Sequence, residues 1–369
     1  MPSSTSSPAP IQSVSLAGAP ELAFFSVPEP GRLLIRAERP GSPPRVLADL
    51  AIPPEASRAR TSAVVSPDGR WVAVTTSEPG GPGDVFLFSA GGETVWRAQA
   101  EFAVFVWAAD SSVLAVDHID GTGLLVELET GGTLDTLPIT FGPEPEPEPE
   151  PDPSAGPVQR GLRQPIGFSV DGRSLYAYRI VTEPPHVEVG SRIDRGTGHA
   201  TATTATGTGG DALARSNLSI QSPEGIGPDG TVAWIGTGPD GPEVRFRQPD
   251  GGSIEPIPLH ATHAGDAAVW DGDRVTAITL TVGDPEAPLD EIDVRANIVS
   301  LDPISGAVLG STPLAAPSFV PSLIGVRDGF ALVRLISSSS IAHALVDVDA
   351  GRVSGFTSEG GFAGWITEP

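Results

Sequence analysis

Six histidines and no cysteine make imidazoles and carboxylates the groups with which this chain could do chemistry near neutral pH. His260-Ala261-Thr262-His263 sets two imidazoles three residues apart. On one face of a helix that spacing would offer both to a single metal ion, with Asp266 as a third ligand. The segment reads as a loop instead, so solvated histidines are expected and no metal is assigned. Asp271-Gly272-Asp273 and Asp347-Val348-Asp349 hold oxygen donors of the kind calcium takes, but neither sits in a full ligand loop. Both read as turn aspartates. Gly207-Thr208-Gly209-Gly210 precedes neither a helix nor a lysine, so it is not a phosphate cradle. There is no Gly-x-Ser-x-Gly elbow, and no residues remain for the α/β-hydrolase domain that would carry one. Asn217-Leu218-Ser219 matches a glycosylation sequon by letter alone. No cofactor is assigned.

The elements that must position such groups are short strands. Ser66-Pro67-Asp68-Gly69-Arg70 is a tight polar turn that launches Trp71-Val72-Ala73-Val74-Thr75-Thr76, a run of β-branched and aromatic residues. Ala63 to Val65 precedes it, and Asp84 to Ser89 and Thr94 to Ala98 follow, which makes four short antiparallel strands in one unit. Comparable turns fall near residues 20, 69, 111, 172, 230, 272 and 329, so seven units are expected. No segment shows a sustained 3.6-residue period, and almost no helix is expected. The tail Gly361-Phe362-Ala363-Gly364-Trp365-Ile366 resembles the first strand of a unit, the strand that the N-terminal unit lacks. Six tryptophans, at 71, 96, 107, 234, 270 and 365, lie mostly in or beside these strands. Packing between sheets is their expected role, with sugar stacking as the alternative.

Two segments stand apart. Met1 to Pro10 is rich in Ser and Pro, and residues 1–17 read as a low-complexity tether. Such a segment commonly joins a signal or membrane anchor to a folded part, so the gene product is expected to begin upstream of Met1. Pro143 to Pro153 alternates proline with acid, an extended polyproline II segment inside a Pro/Glu-rich insertion at 142–163. It reads as an exposed spacer, or as a docking segment for a partner with aromatic or Arg-lined grooves. Residues 18–369 are otherwise one domain.

The formal net charge is −24, from 22 basic and 46 acidic residues, and every basic residue is arginine. That balance argues against nucleic acid and against an anionic membrane surface as partners. Absence of cysteine excludes structural disulfides and thiolate metal sites. No apolar run is long enough to span a membrane.

Ser66-Pro67-Asp68-Gly69-Arg70-Trp71-Val72-Ala73 resembles the repeat of the TolB-like, or WD40-like (PD40), propellers. Phe168-Ser169-Val170-Asp171-Gly172-Arg173-Ser174-Leu175 is a close variant and Pro228-Asp229-Gly230-Thr231-Val232-Ala233 a looser one. The resemblance implies an all-β fold, a seven-bladed β-propeller of four-stranded antiparallel blades, with the ring closed by the C-terminal strand. It implies little about function, because the motif is a turn and a strand. Such repeats occur in periplasmic binding proteins, in the propeller domains of prolyl-oligopeptidase-like peptidases and in extracytoplasmic domains of bacterial membrane proteins.

In a propeller the loop between second and third strands, and the connection between blades, emerge on one face. His118, Asp120, His186, His260 and His263 then gather on that loop-rich rim, with the acidic proline segment. The reading favoured is a non-catalytic binding or sensing propeller, periplasmic or extracellular, monomeric, with a protein or small ligand at this rim. The alternative is a lactonase-like or quinoprotein-like enzyme with a site at the channel mouth.

Overall fold

In the Ser66–Trp71 turn the sequence supplies its own scaffold. Ser66 N donates to Trp71 O at 2.8 Å and Gly69 N to Ser66 O at 2.8 Å. The Asp68 carboxylate accepts Ser66 Oγ at 2.6 Å, Arg70 N at 3.1 Å and Arg70 Nε at 2.6 Å, while Trp71 N reaches Ser66 Oγ at 3.0 Å. Gly69 has φ +78°, a conformation in which a side chain is strained. Serine, aspartate and glycine are thus each used for a distinct bond or dihedral, and the chain leaves the turn already aimed as a strand.

The computed structural model describes residues 12–54, 61–77, 83–100, 105–108, 110–117, 123–128, 134–139, 163–168, 174–182, 185–194, 200–202, 227, 231–248, 252–282, 294–314, 320–336, 341–356 and 360–367. Among these the regular elements are β-strands in antiparallel sheets, with no helix, as the sequence leads one to expect. The strands are β1 (Glu21–Glu29), β2 (Arg32–Glu38), β3 (Arg45–Ala51), β4 (Thr61–Val65), β5 (Trp71–Ser77), β6 (Gly83–Ser89) and β7 (Thr94–Ala100). There follow β8 (Phe105–Trp107), β9 (Val113–Asp117), β10 (Gly123–Leu128), β11 (Leu134–Ile139), β12 (Arg163–Phe168), β13 (Ser174–Thr182), β14 (Pro185–Asp194) and β15 (Ala200–Ala202). The last third of the chain forms β16 (Val232–Gly238), β17 (Gly241–Arg247), β18 (Ile257–Pro258), β19 (His263–Asp271), β20 (Arg274–Val282), β21 (Val294–Leu301) and β22 (Val308–Leu314). It ends with β23 (Val320–Arg327), β24 (Phe330–Ile336), β25 (Ile341–Asp347), β26 (Arg352–Phe356) and β27 (Gly361–Ile366).

Six sheets have four strands: β27-β1-β2-β3, β4 to β7, β8 to β11, β12 to β15, β19 to β22 and β23 to β26. A further sheet, β16-β17-β18, has three among the described residues. Four were expected there; residues 203–226, just before it, lie outside the described set. β1 runs on through Pro28 to Glu29, and the chain turns into β2 at Pro30 and Gly31, with φ +83° at Gly31.

The chain divides into two compact units. One comprises Met1–Phe24, Ala37–Arg45 and Pro223–Glu359; the other comprises Phe25–Arg36, Val46–Ser222 and Gly360–Pro369. In the second unit, Ala73, Val85 and Leu87 of one sheet pack on Trp107, Leu114, Val116 and Val126 of the next. Trp107 Nε1 donates to Val64 O at 3.3 Å. The end of β27 lies on the Ser66–Trp71 turn: Thr367 N donates to Gly69 O at 3.1 Å and Thr367 Oγ1 to Asp68 O at 2.7 Å.

In the first unit, two apolar layers join three sheets. Ala233, Val244 and Phe246 meet Ala268, Val275, Ala277 and Val299. Val269, Ile278 and Ile298 meet Leu323, Ala331, Val333, Ala344 and Val346. Phe246 and Trp270 meet edge to face, with centroids 6.0 Å apart. These alternate residues are the inward set that the period-2 pattern selects. The Asp271 carboxylate, read as a turn aspartate, accepts the backbone amides of the next sheet's turn, Asp328 and Gly329.

Candidate functional site

The connection from β18 to β19 carries two exposed histidines on an anchored backbone. Ile257 and Leu259 are buried, which draws the chain onto the sheet as far as Leu259. Leu259 N then donates to Pro242 O at 3.0 Å. At His260 the backbone switches to φ +48° and leaves the sheet. Ala261 O comes within 3.1 Å of where a Cβ on Gly241 would stand, so Gly241 makes room for the passing backbone. Thr262 Oγ1 donates to Leu280 O at 3.0 Å, and His263 opens β19 opposite Leu280. The register of β19 against β20 then shifts between Ala264 and Ala268. Between these anchors both His260 and His263 are exposed.

His260 is one of three non-glycine residues with positive φ among the described residues, with Ser111 and Asp328. The other two serve turns: Ser111 Oγ accepts Asp68 N at 2.8 Å, and Asp328 N donates to Asp271. His260 is held between the anchors of its neighbours Leu259 and Thr262. A left-handed conformation costs a non-glycine residue of order 1 kcal/mol or more, and such costs gather where function requires a fixed presentation. The loop can therefore present two imidazoles to a partner without reorganising.

The other sequence candidates fall as follows. His186 is the second residue of β14, opposite Val181 of β13 and beside the short link between them. His118 and Asp120 lie outside the described residues, as does the segment 143–153. Asp266, weighed as a third metal ligand, lies within the register shift of β19. Among the described residues no three His, Asp or Glu side chains are grouped to hold a metal ion.

Two features escaped the sequence reading. His343 in β25 is 3% exposed, lies edge-on to Phe24 with ring centroids 5.1 Å apart, and stands opposite Arg334 of β24. The alternation Ile341-Ala342-His343-Ala344-Leu345 puts this histidine on the same face as Leu345, which was the available signal for burial. Trp234, expected between sheets, is 39% exposed and stands opposite Arg245. Arg245 Nε bonds Glu243 at 2.7 Å and its Nη2 bonds Thr237 O at 2.7 Å. Its side chain lies 2.6 Å from where a Cβ on Gly236 would be, so the glycine makes room for it.

A cleft of about 70 Å³ is lined by Ser13, Glu38, Arg39, Pro40, Gly41, Ser42 and Pro44. Small-molecule sites occupy roughly 300–1,000 Å³, so this one suits a few waters rather than a metabolite. In the Ser66–Trp71 turn, Asp68 carries a shifted carboxyl. Burial pushes its pKa up, but hydrogen bonds from Ser66 and from the backbone and side chain of Arg70, with the Arg70 charge, outweigh it and hold the pKa below the ordinary value.

No family model and no curated protein matches the chain. Among solved structures it is similar to prolyl oligopeptidase B from Galerina marginata, with 14% identity and a TM-score of 0.46 over 93% of this chain and 51% of that one. It is also similar to an oligogalacturonate lyase in complex with manganese, with 14% identity and a TM-score of 0.43 over 91% of this chain and 84% of that one. A candidate 6-phosphogluconolactonase from Bacteroides uniformis shares 15% identity, with a TM-score of 0.42 over 91% of this chain and 95% of that one. The chain spans about half the length of the prolyl oligopeptidases that it matches.

Proposed function

We propose that this protein is a non-catalytic binding or sensing module, a seven-bladed β-propeller of the TolB-like or WD40-like kind. Its ring is closed by β27, and it works outside the cytoplasm. Support for the architecture comes from the antiparallel sheets, from the repeated Ser-Pro-Asp-Gly type of turn and from the place of β27 beside β1. In a propeller of this kind the loops between second and third strands and the connections between blades share a face, which would carry His118, Asp120, His186, His260 and His263. That face binds a protein or a small ligand, and histidine protonation tunes the affinity.

The observation that carries this reading is the anchored β18–β19 connection, which fixes His260 in an uncommon conformation and leaves both imidazoles at the surface.

The test is a cross-linking capture from the extracytoplasmic fraction of the source cell. Wild-type protein is compared with a variant in which His118, His186, His260 and His263 are all changed to Ala. The reading predicts a partner that the variant loses and whose affinity changes between about pH 5.5 and 7.5. Equal recovery by both proteins contradicts it. Turnover of a lactone by the purified wild type would instead favour the enzyme alternative.

A further inference from the structure

The sheet β23 to β26 has one apolar face and, on the other, a polar row. Leu323, Val333, Leu335, Ala344 and Val346 belong to the apolar layer shared with β19 to β22. Neighbours along a strand point to opposite faces, so Ser322, Arg334 and His343 stand on the far side. The register sets them side by side across three strands, Ser322 opposite Arg334 and Arg334 opposite His343. A register shift between Leu323 and Gly325 lets Val326 rejoin Leu323 on the apolar side while Ser322 keeps its place in the row. All three residues belong to the first unit, as does Phe24, whose ring meets that of His343 edge-on.

Arg334 differs from the other arginines around it. Arg45, Arg97, Arg274 and Arg352 each bond a carboxylate oxygen at between 2.5 and 2.9 Å. Asp347, on the same face of β25 as His343, is committed to Arg352 and to the Ala350 amide. Arg334 is half-buried and its Nε is fully buried, yet no acceptor among the described residues takes a bond from its guanidinium. An orphaned buried donor on a fixed cation costs stability, and such groups are uncommon unless an acceptor from outside the chain completes them. In a chain of net charge −24, an arginine without a counter-charge is also a local exception that draws anions.

We propose that Arg334 and Ser322 bind a small oxyanion, the carboxylate or phosphate group of a ligand, with His343 and Phe24 as the wall of the site. The guanidinium supplies the charge and a planar fork of donors that fits two oxygens of one oxyanion. Directly opposed residues of neighbouring strands stand roughly 5 Å apart at Cβ, which brings the Ser322 hydroxyl within reach of the same group. The inference does not rest on the histidine face.

The test uses the full chain, with inorganic phosphate and acetate as probes and chloride at matched ionic strength as the control. Calorimetric titration of the wild type with at least one probe should saturate, with half-saturation below about 10 mM. Arg334→Met should weaken that binding at least about tenfold and Ser322→Ala about threefold, as loss of a charged and of a neutral donor implies. In buffer free of both probes, Arg334→Met should melt at or above the wild-type temperature, because an uncompensated charge has been removed. The binding probe should raise the melting temperature of the wild type and leave that of Arg334→Met unchanged. Saturation by neither probe, or equal binding by wild type and Arg334→Met, overturns the site. A lower melting temperature of Arg334→Met in the probe-free buffer, or its failure to fold, makes the guanidinium a structural group and overturns the site as well.

Discussion

Gly69 and Thr367 touch backbone to backbone. Thr367 N donates to Gly69 O at 3.1 Å, and a Cβ placed on Gly69 would stand 2.6 Å from Thr367 N. Glycine is therefore required twice at this position, for its φ of +78° and for the approach of the chain's other end. Gly69→Ala should cost about 2–4 kcal/mol, from strain at positive φ and from overpacking against a backbone that cannot yield. Urea midpoints would show it. A loss below about 0.5 kcal/mol, the range of ordinary surface changes, would mean that the contact is loose.

The second prediction concerns Asp271. Its carboxylate oxygens accept Asp328 N at 2.9 Å and Gly329 N at 2.6 Å, joining the turns of two adjacent sheets. Asp271→Ala leaves both amides without this acceptor and should destabilise by about 1–3 kcal/mol. Asp271→Asn keeps one acceptor oxygen and should fall between the variant and the wild type. Equal melting of all three proteins would show that the stitch contributes nothing.

The two stitches show how far the sequence could be read. Ser66-Pro67-Asp68-Gly69-Arg70 is legible because each residue acts on its own backbone within five positions. Asp271 was legible as a turn aspartate, but its acceptance of amides 57 and 58 residues away depends on how two sheets pack. The bond from Val14 N to Ser354 Oγ was hidden for the same reason: no local period encodes a contact across 340 positions. His343 was missed for a different reason, since its polar side chain outweighed the apolar alternation around it. The exposure of His260 and His263 was legible from composition; the left-handed φ that presents His260 was not.

Acid should act partly through Asp68. Its folded-state pKa is lowered, so its contribution to stability is present above the unfolded value of about 3.9 and is lost as pH falls through the folded value. The wild type should exceed Asp68→Asn in stability at neutral pH, and the gap should close progressively below about pH 4. A gap that is constant from neutral pH into that acid range would remove the carboxylate's charge from the account.

The acidic proline segment offers a contrasting expectation. Replacing Pro143 to Pro153 by a short Gly/Ser linker should change stability by no more than about 0.5 kcal/mol, as for an exposed spacer. A loss of several kcal/mol, measured by thermal melting, would mean that the segment packs on the body of the protein.

The architecture rests most directly on β27. Ala363, Trp365 and Ile366 are buried, and a Cβ on Gly364 would stand 2.6 Å from the Cβ of Val65. Ending the chain at Gly360 removes these side chains and leaves β1 at the edge of its sheet. The measurement is the melting of this truncated protein beside the full chain. Closure by β27 predicts a loss of about 5 kcal/mol or more, comparable with the whole stability of many domains, with melting far lower or no cooperative transition at all. Cooperative melting at the temperature of the full chain would contradict it.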